Sequence, residues 1–163
     1  MNTEKDQFIQ TWEREFQTTV KVLKSFPTNK LDLKPAEKSR SAKDLAWTFV
    51  AEEGIADMAM KGKIDFSGPT PKTPNTMQEI LGAYEGTHKK NVEKLKNLSE
   101  TDYNSPIGFP SGPGKMMDMR KADELWTMLM DMVHHRGQMS VYIRLAGGKV
   151  PSIYGPTADE PWM

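Results

Sequence analysis

The stretch KADELWTMLMDMVHHRGQMSVYIRLAGG, Lys121 to Gly148, decides the architecture of this chain. It contains no proline, and Leu125, Met128, Met132, Met139 and Ile143 recur at helical spacing as one apolar stripe. Trp126, Val133, Val141 and Leu145 make a second apolar side. Gly147 and Gly148 supply the positive-φ stop that ends a helix. The spacing therefore predicts a helix from Lys121 to Ala146. Apolar on two sides, it must lie deep in a bundle or meet another subunit.

The middle of that helix, MDMVHHRGQM from Met130 to Met139, carries two of the three histidines. Neighbouring helical residues point about 100° apart, so His134 and His135 cannot face one site. A metal site on a helix usually takes His-x-x-x-His, because residues four apart lie one above the other. Four before His135 stands Asp131, and four after His134 stands Gln138. Asp131 and His135 therefore read as half of a metal site, with Gln138 and Tyr142 on the same side. An imidazole and a carboxylate one turn apart can share a divalent cation. Equally, Asp131 can simply accept a hydrogen bond from His135. His134 points toward Met130 and Val141, which suits a surface or an interface.

Three more helices are legible outward from this one. In the first, Phe8, Trp12, Phe16 and Val20 recur every four residues, with Leu23 following, and Pro27 stops it. The second opens on Ser41 with Asp44 three positions on, and Leu45, Phe49 and Ala56 form its stripe, with Thr48 and Glu52 on or beside it. The third opens on Thr76 and Glu79 and runs through Ile80, Leu81, Tyr84, His88, Val92 and Leu95, with Asn91 alongside. The linker from Lys61 to Pro74, fully extended, reaches about 45 Å at ~3.3 Å per residue, more than a ~30 Å helix. It can place helices two and three parallel.

Asn97 to Arg120 reads as the longest loop, with no convincing strand alternation. Its Gly114-Lys115 pair invites a phosphate cradle, but the required Gly and Ser/Thr positions hold Phe109 and Met116. The C-terminal KVPSIYGPTADEPWM has no period and is expected to pack as an extended strap. The fold expected is all-α: a four-helix bundle, one domain over residues 1–163, with an extended tail.

Composition narrows the function. Lys plus Arg equals Asp plus Glu at 22 each, so no net field steers the chain toward nucleic acid or anionic lipid. With no cysteine there is no thiol nucleophile, thiolate metal site or disulfide, which suits a reducing cytosol. The opening MNTEKDQFIQ does not read as a secretory signal, and no run approaches the ~18 apolar residues of a membrane span. The expectation is a cytoplasmic protein that engages neither nucleic acid nor membrane. On helix three, His88 faces the core and is expected to be buried and hydrogen-bonded, or else to serve as an auxiliary ligand or base. Glu52 is a further candidate carboxylate, and Arg136 is expected to pair with Glu52 or Glu53 inside the bundle.

The segments HHRGQMSVYIRLAGGKVPSIYG, RSAKDLAWTFVAEE and LDLKPAEKSRS together resemble the DinB/YfiT family, in the right order and over nearly the whole chain. The resemblance implies an up-down-down-up four-helix bundle, often a homodimer, with a three-histidine metal site open to water at one end. It also implies relatives that are metal-dependent hydrolase-like proteins or thiol transferases using small cytosolic thiols such as bacillithiol. Carried onto this chain, the helix-two ligand falls on Thr48, the first of the helix-four pair on Asp131, and the second on His135. Only His135 keeps the imidazole. The loss of two imidazoles weakens binding of zinc or nickel relative to manganese or magnesium.

Two functions stay open at this stage. One is an enzyme holding a divalent metal through Asp131 and His135, aided by Glu52 or His88, that acts on a small-molecule or thiol substrate. The other is a non-catalytic dimeric bundle that holds a small ligand, or serves a structural or stress-related role, without metal.

Overall fold

The computed structural model describes residues 2–162. Helix α1 spans Glu4–Lys24, α2 Ala42–Met60 and α3 Met77–Asn97; a short α4 spans Glu100–Tyr103, and α5 runs Lys121–Leu145. Side chains satisfy the free N–H groups where the long helices start. Thr3 with Asp6, and Thr76 with Glu79, form reciprocal capping boxes, and Ser41 Oγ accepts from the Asp44 N–H at 3.1 Å. At the end of α5, Gly147 N–H donates to Arg144 O at 3.0 Å and Gly148 N–H to Ile143 O at 2.8 Å. This Schellman arrangement needs both glycines. Gly147 has φ +78°, and a Cβ on Gly148 would sit 2.9 Å from Ile143 and from Pro27.

The helices pack in a ring: α1 touches α3 and α5, and α2 touches the same two. Two apolar clusters fill it. One joins Phe16 and Leu23 of α1, Leu45 and Phe49 of α2, Ile80 and Tyr84 of α3, and Met139 and Ile143 of α5. The other joins Phe8 and Trp12, Ala56 and Met60, Val92 and Leu95, and Leu125 and Leu129. On the long helices most buried polar residues fall near the junction of these sets: Glu15 and Thr19, Glu52 and Glu53, His88 and Asn91, and Arg136, while Lys121 and Glu124 are buried at the start of α5. The middle of the bundle is therefore a polar layer, and Glu124 adds a buried carboxyl within the second apolar half. Charges at that depth must be paired or neutralised.

The all-α expectation needs correction. Pro106–Gly112 and Lys115–Arg120 form an antiparallel hairpin, β1 and β2, with Ile107 opposite Met119 and Phe109 opposite Met117. The segment had read as loop because Pro106, Pro110 and the glycines break the alternation that marks a strand. A two-stranded ribbon tolerates proline, since each strand is an edge. Gly114, at φ +66°, closes the turn, and a bulge falls between Pro110 and Gly112. What holds the ribbon is tertiary: Ile107 is buried against the second apolar cluster, where Tyr103 of α4 also lies.

The tail folds back on itself as a strap. Val150 N–H donates to Asp159 at 2.8 Å and Ser152 N–H to Glu160 at 2.7 Å. Lys21 of α1 and Arg144 of α5 pin those same acids at 2.9 and 2.7 Å. No helix of the described residues is long and apolar enough to cross a membrane.

Candidate metal centre

Glu52 and Glu53 are consecutive on α2 and point to different neighbours, as the helical rotation requires. Each holds a histidine. Toward α5, Glu52 Oε1 lies 2.6 Å from His135 Nδ1. Toward α3, Glu53 Oε1 lies 2.8 Å from His88 Nδ1, and Asn91 donates to Glu53 Oε2 and to its carbonyl, each at 2.8 Å. His88 also stacks on Phe16 with centroids 3.8 Å apart and meets Trp12 edge-on at 5.0 Å. It is buried and hydrogen-bonded, and its partner is a carboxylate.

Asp131, one turn before His135, brings Oδ2 to 3.8 Å from the same Nδ1. Glu52, Asp131 and His135 each offer a ligand atom, and these atoms all lie within 4.8 Å of one another. His88 is not part of this cluster, nor is exposed His134, whose Nε2 lies 2.9 Å from Gln138 Nε2. Thr48 is also outside it: its hydroxyl donates to Asp44 O at 3.1 Å and accepts from Arg40 Nη1 at 2.8 Å. Thr48 lies one turn before Glu52 on the same face of α2, so α2 offers a carboxylate one turn beyond the threonine. Arg136 pairs with neither Glu52 nor Glu53. It crosses instead to Glu15 of α1, at 2.6 Å.

Electrostatics tie Glu52 to its neighbours. Burial, then the nearby Asp131 and Glu53 charges, push its carboxyl up to about 9. Burial also holds His135 below the ordinary histidine value, outweighing Asp131, which favours the charged ring; Arg40 and His134 deepen the shift. Together these shifts describe a neutral pair in which protonated Glu52 donates to an uncharged imidazole. Glu52 Oε2 is buried with no hydrogen-bond partner. An orphaned carboxylate oxygen at a convergence of two acids and an imidazole fits a divalent cation, which would take the place of the Glu52 proton.

His135 also lies on the wall of a solvent-connected cavity of about 450 Å³. Gln138, Val141 and Tyr142 continue that wall along α5, and Pro35, Ser39, Arg40 and Leu45 face them. The cavity is of small-molecule size. Sequence reasoning had placed His135, Asp131, Gln138 and Tyr142 on one side, but the loop residues 35–40 carried no signal for a site.

The fold and this carboxylate–imidazole cluster between facing helices define a helical bundle with a candidate metal centre at mid-height. The comparisons with known proteins sharpen that class. The DinB family profile matches residues 1–162, and the chain belongs to that family. It is 30% identical over 158 residues to the uncharacterized protein YrdA of Bacillus subtilis (strain 168), covering 95% of this chain and 90% of the relative. Among solved structures, it is similar to a DinB-like protein from Bacillus cereus ATCC 10987, with TM-score 0.77 and 26% identity over 90% of this chain and 95% of the other. It shares a fold with the DinB-like protein YjoA of Bacillus subtilis at TM-score 0.70 and 18% identity, over 90% and 97% of the two chains.

Proposed function

We propose that this protein is a divalent-metal-dependent enzyme of hydrolase or thiol-transferase type, in which Glu52, Asp131 and His135 hold one cation beside the 450 Å³ cavity. The observation that carries the reading is the orphaned Glu52 Oε2 within this cluster. Two carboxylates and one imidazole suit manganese or magnesium better than the zinc or nickel favoured by three imidazoles. When bound, such a cation supplies Lewis-acid activation of a water or thiol nucleophile. The residues of the chain supply the rest. Without the cation, His135 and Glu52 hold a proton between them, which the cation would displace; Gln138 offers an amide to orient substrate, and Leu45 and Val141 present apolar groups to the cavity.

Protein purified without a histidine tag, titrated calorimetrically with Mn²⁺, is expected to bind one equivalent, and His135→Ala is expected to lose it. Absence of binding at high micromolar Mn²⁺ would remove the cation from the proposal. A second reading, a non-catalytic ligand-binding bundle, draws support from the Glu52–His135 bond, which gives each group a partner without metal. That reading requires the metal titration to be silent.

Cluster membership supports an up-down-down-up path. The first cluster takes the C-terminal halves of α1 and α5 with the N-terminal halves of α2 and α3, and the second takes the reverse. We also propose a cytoplasmic homodimer. Met130, Val141 and Leu145 are each more than half exposed and fall within about 60° of one another on α5 at 100° per residue. Sedimentation at tens of micromolar is expected to show a dimer that Val141→Glu dissociates; a monomeric wild type would end this idea.

A further inference from the structure

We propose that Arg40 is an anion clamp, and that the cavity beside His135 takes a small ligand carrying an oxyanion, a carboxylate or phosphoryl group, on a short aliphatic body. The inference deepens the proposed function and rests on it for the cation, but the contribution of Arg40 is separable.

Arg40 is held from three sides. Its carbonyl accepts from Tyr142 OH at 2.9 Å, its Nη1 donates to Thr48 Oγ1 at 2.8 Å, and the next residue, Ser41, is the cap of α2. The backbone approaching it is also tied: Ala42 N–H donates to Leu33 O and Lys43 N–H to Leu31 O, at 2.9 and 2.8 Å. The backbone of Arg40 is thus fixed, and its guanidinium, on an exposed residue, is oriented by the bond to Thr48.

A guanidinium carries five donors and no acceptor, in a planar fork that matches an oxyanion bidentately. Here one donor is used, by Thr48, and among the described residues no carboxylate lies within ion-pair reach of Arg40. The other arginines with acid partners show the contrast. Arg14 pairs with Glu15, Arg120 with Glu4 and Asp123, Arg136 with Glu15, and Arg144 with Asp159. Arg40 faces a cavity whose lining contains no acid; its other lining groups are an imidazole, neutral polar groups and apolar side chains. Pro35, Leu45 and Val141 are the apolar groups of the lining, which set the body of the ligand. Thr48, where the resemblance placed a metal ligand, thus serves as the hydrogen-bond rest for the clamp.

The test is calorimetric titration of the full chain at low salt with succinate, inorganic phosphate and, as the neutral control, succinamide, each with and without saturating Mg²⁺. Wild type is expected to bind one of the two anions at least tenfold more tightly than succinamide. Arg40→Gln is expected to weaken that anion at least tenfold with an unchanged thermal melt, and Arg40→Lys to recover part of the loss. Succinate ahead of phosphate assigns a carboxylate ligand; the reverse assigns a phosphoryl ligand. Equal anion affinity in wild type and Arg40→Gln, no preference over succinamide, or no anion bound at millimolar concentration overturns the clamp. If Arg40→Gln releases the anion while Mg²⁺ neither binds nor alters affinity, the clamp stands and the metal reading falls.

Discussion

Replacing Arg136 with methionine is expected to destabilise the protein by about 3–5 kcal/mol, the usual cost of leaving one charge of a buried ion pair alone. For a domain of this size that corresponds to a fall of roughly 6–20 °C in melting temperature, at ~2–4 °C per kcal/mol. Arg136 is only 1% exposed. Its Nη2 donates to Glu15 Oε2 at 2.6 Å and to the hydroxyl of Tyr154, and its Nη1 donates to Glu15 O at 3.0 Å and Thr19 Oγ1 at 3.3 Å. Tyr154 OH in turn donates to Glu15 Oε2 at 2.6 Å, so one tail residue closes the network from outside. Methionine keeps the aliphatic volume but removes the buried cation of Glu15, leaving the carboxylate with Tyr154 and the exposed Arg14.

The pH dependence of that loss is itself diagnostic. Burial alone would raise the Glu15 carboxyl, but the bonds from Tyr154 and Arg136 outweigh it and hold the group below its ordinary 4.5. A folded value below the unfolded one contributes stability above about pH 4.5, and that stability is lost as pH falls through the folded value. In Arg136→Met the burial effect is no longer countered by Arg136, so the folded Glu15 carboxyl rises from its wild-type value and less of its stability is lost on acidification. The gap between wild type and variant is therefore expected to narrow from pH 7 to pH 4 in chemical-denaturation curves. A gap that is constant with pH, or below about 1 kcal/mol at pH 7, would show that the network carries no net charge pairing.

The double variant Thr48→His, Asp131→His is expected to bind zinc at least a hundredfold more tightly than wild type. The α5 half of the assignment is geometric: position 131 already brings a side-chain atom to 3.8 Å from His135 Nδ1. The α2 half follows from period, since position 48 lies one turn from Glu52, whose carboxylate reaches the same histidine. Three imidazoles recreate a donor set that zinc prefers to two carboxylates and one imidazole. At a hundredfold excess over the dissociation constant, binding to the folded state adds ~2.7 kcal/mol. A melt should register this as a rise of about 5–11 °C. The rise should vanish when His135→Ala is added. A double variant that folds and melts identically with and without zinc would show that Thr48 does not occupy a ligand position.

What could be read without the structure was whatever is encoded over a few residues. The Phe8–Trp12–Phe16–Val20 period, the Ser41 and Thr76 caps and the Gly147-Gly148 stop are local signals, and the long helices begin and end within a few residues of where those signals put them. Asp131 with His135 was legible for the same reason, being one helical turn. The hairpin at 106–120 was not: its prolines and glycines erase the strand pattern, and only the burial of Ile107 against the other elements makes it pay in free energy.

Pairings across the bundle lay equally out of reach. Glu52 and His135 are separated by 83 residues, Glu53 and His88 by 35, and Glu15 and Arg136 by 121. Local spacing put His88 on a core face and His135 and Glu52 at the edge of one, but gave no neighbour across the bundle for them and no signal for Glu15. By itself the sequence determined the four long helices, the core face carrying His88 and the Asp131–His135 half-site, but not the short α4 inside the segment read as loop. Tertiary structure alone decided that Arg136 belongs to Glu15, that consecutive glutamates each take a histidine, and that Arg40 stands unpaired at the mouth of the site. The physical reason is that a helix dictates its own contacts at three and four residues, whereas contacts between helices depend on which faces of the ring meet.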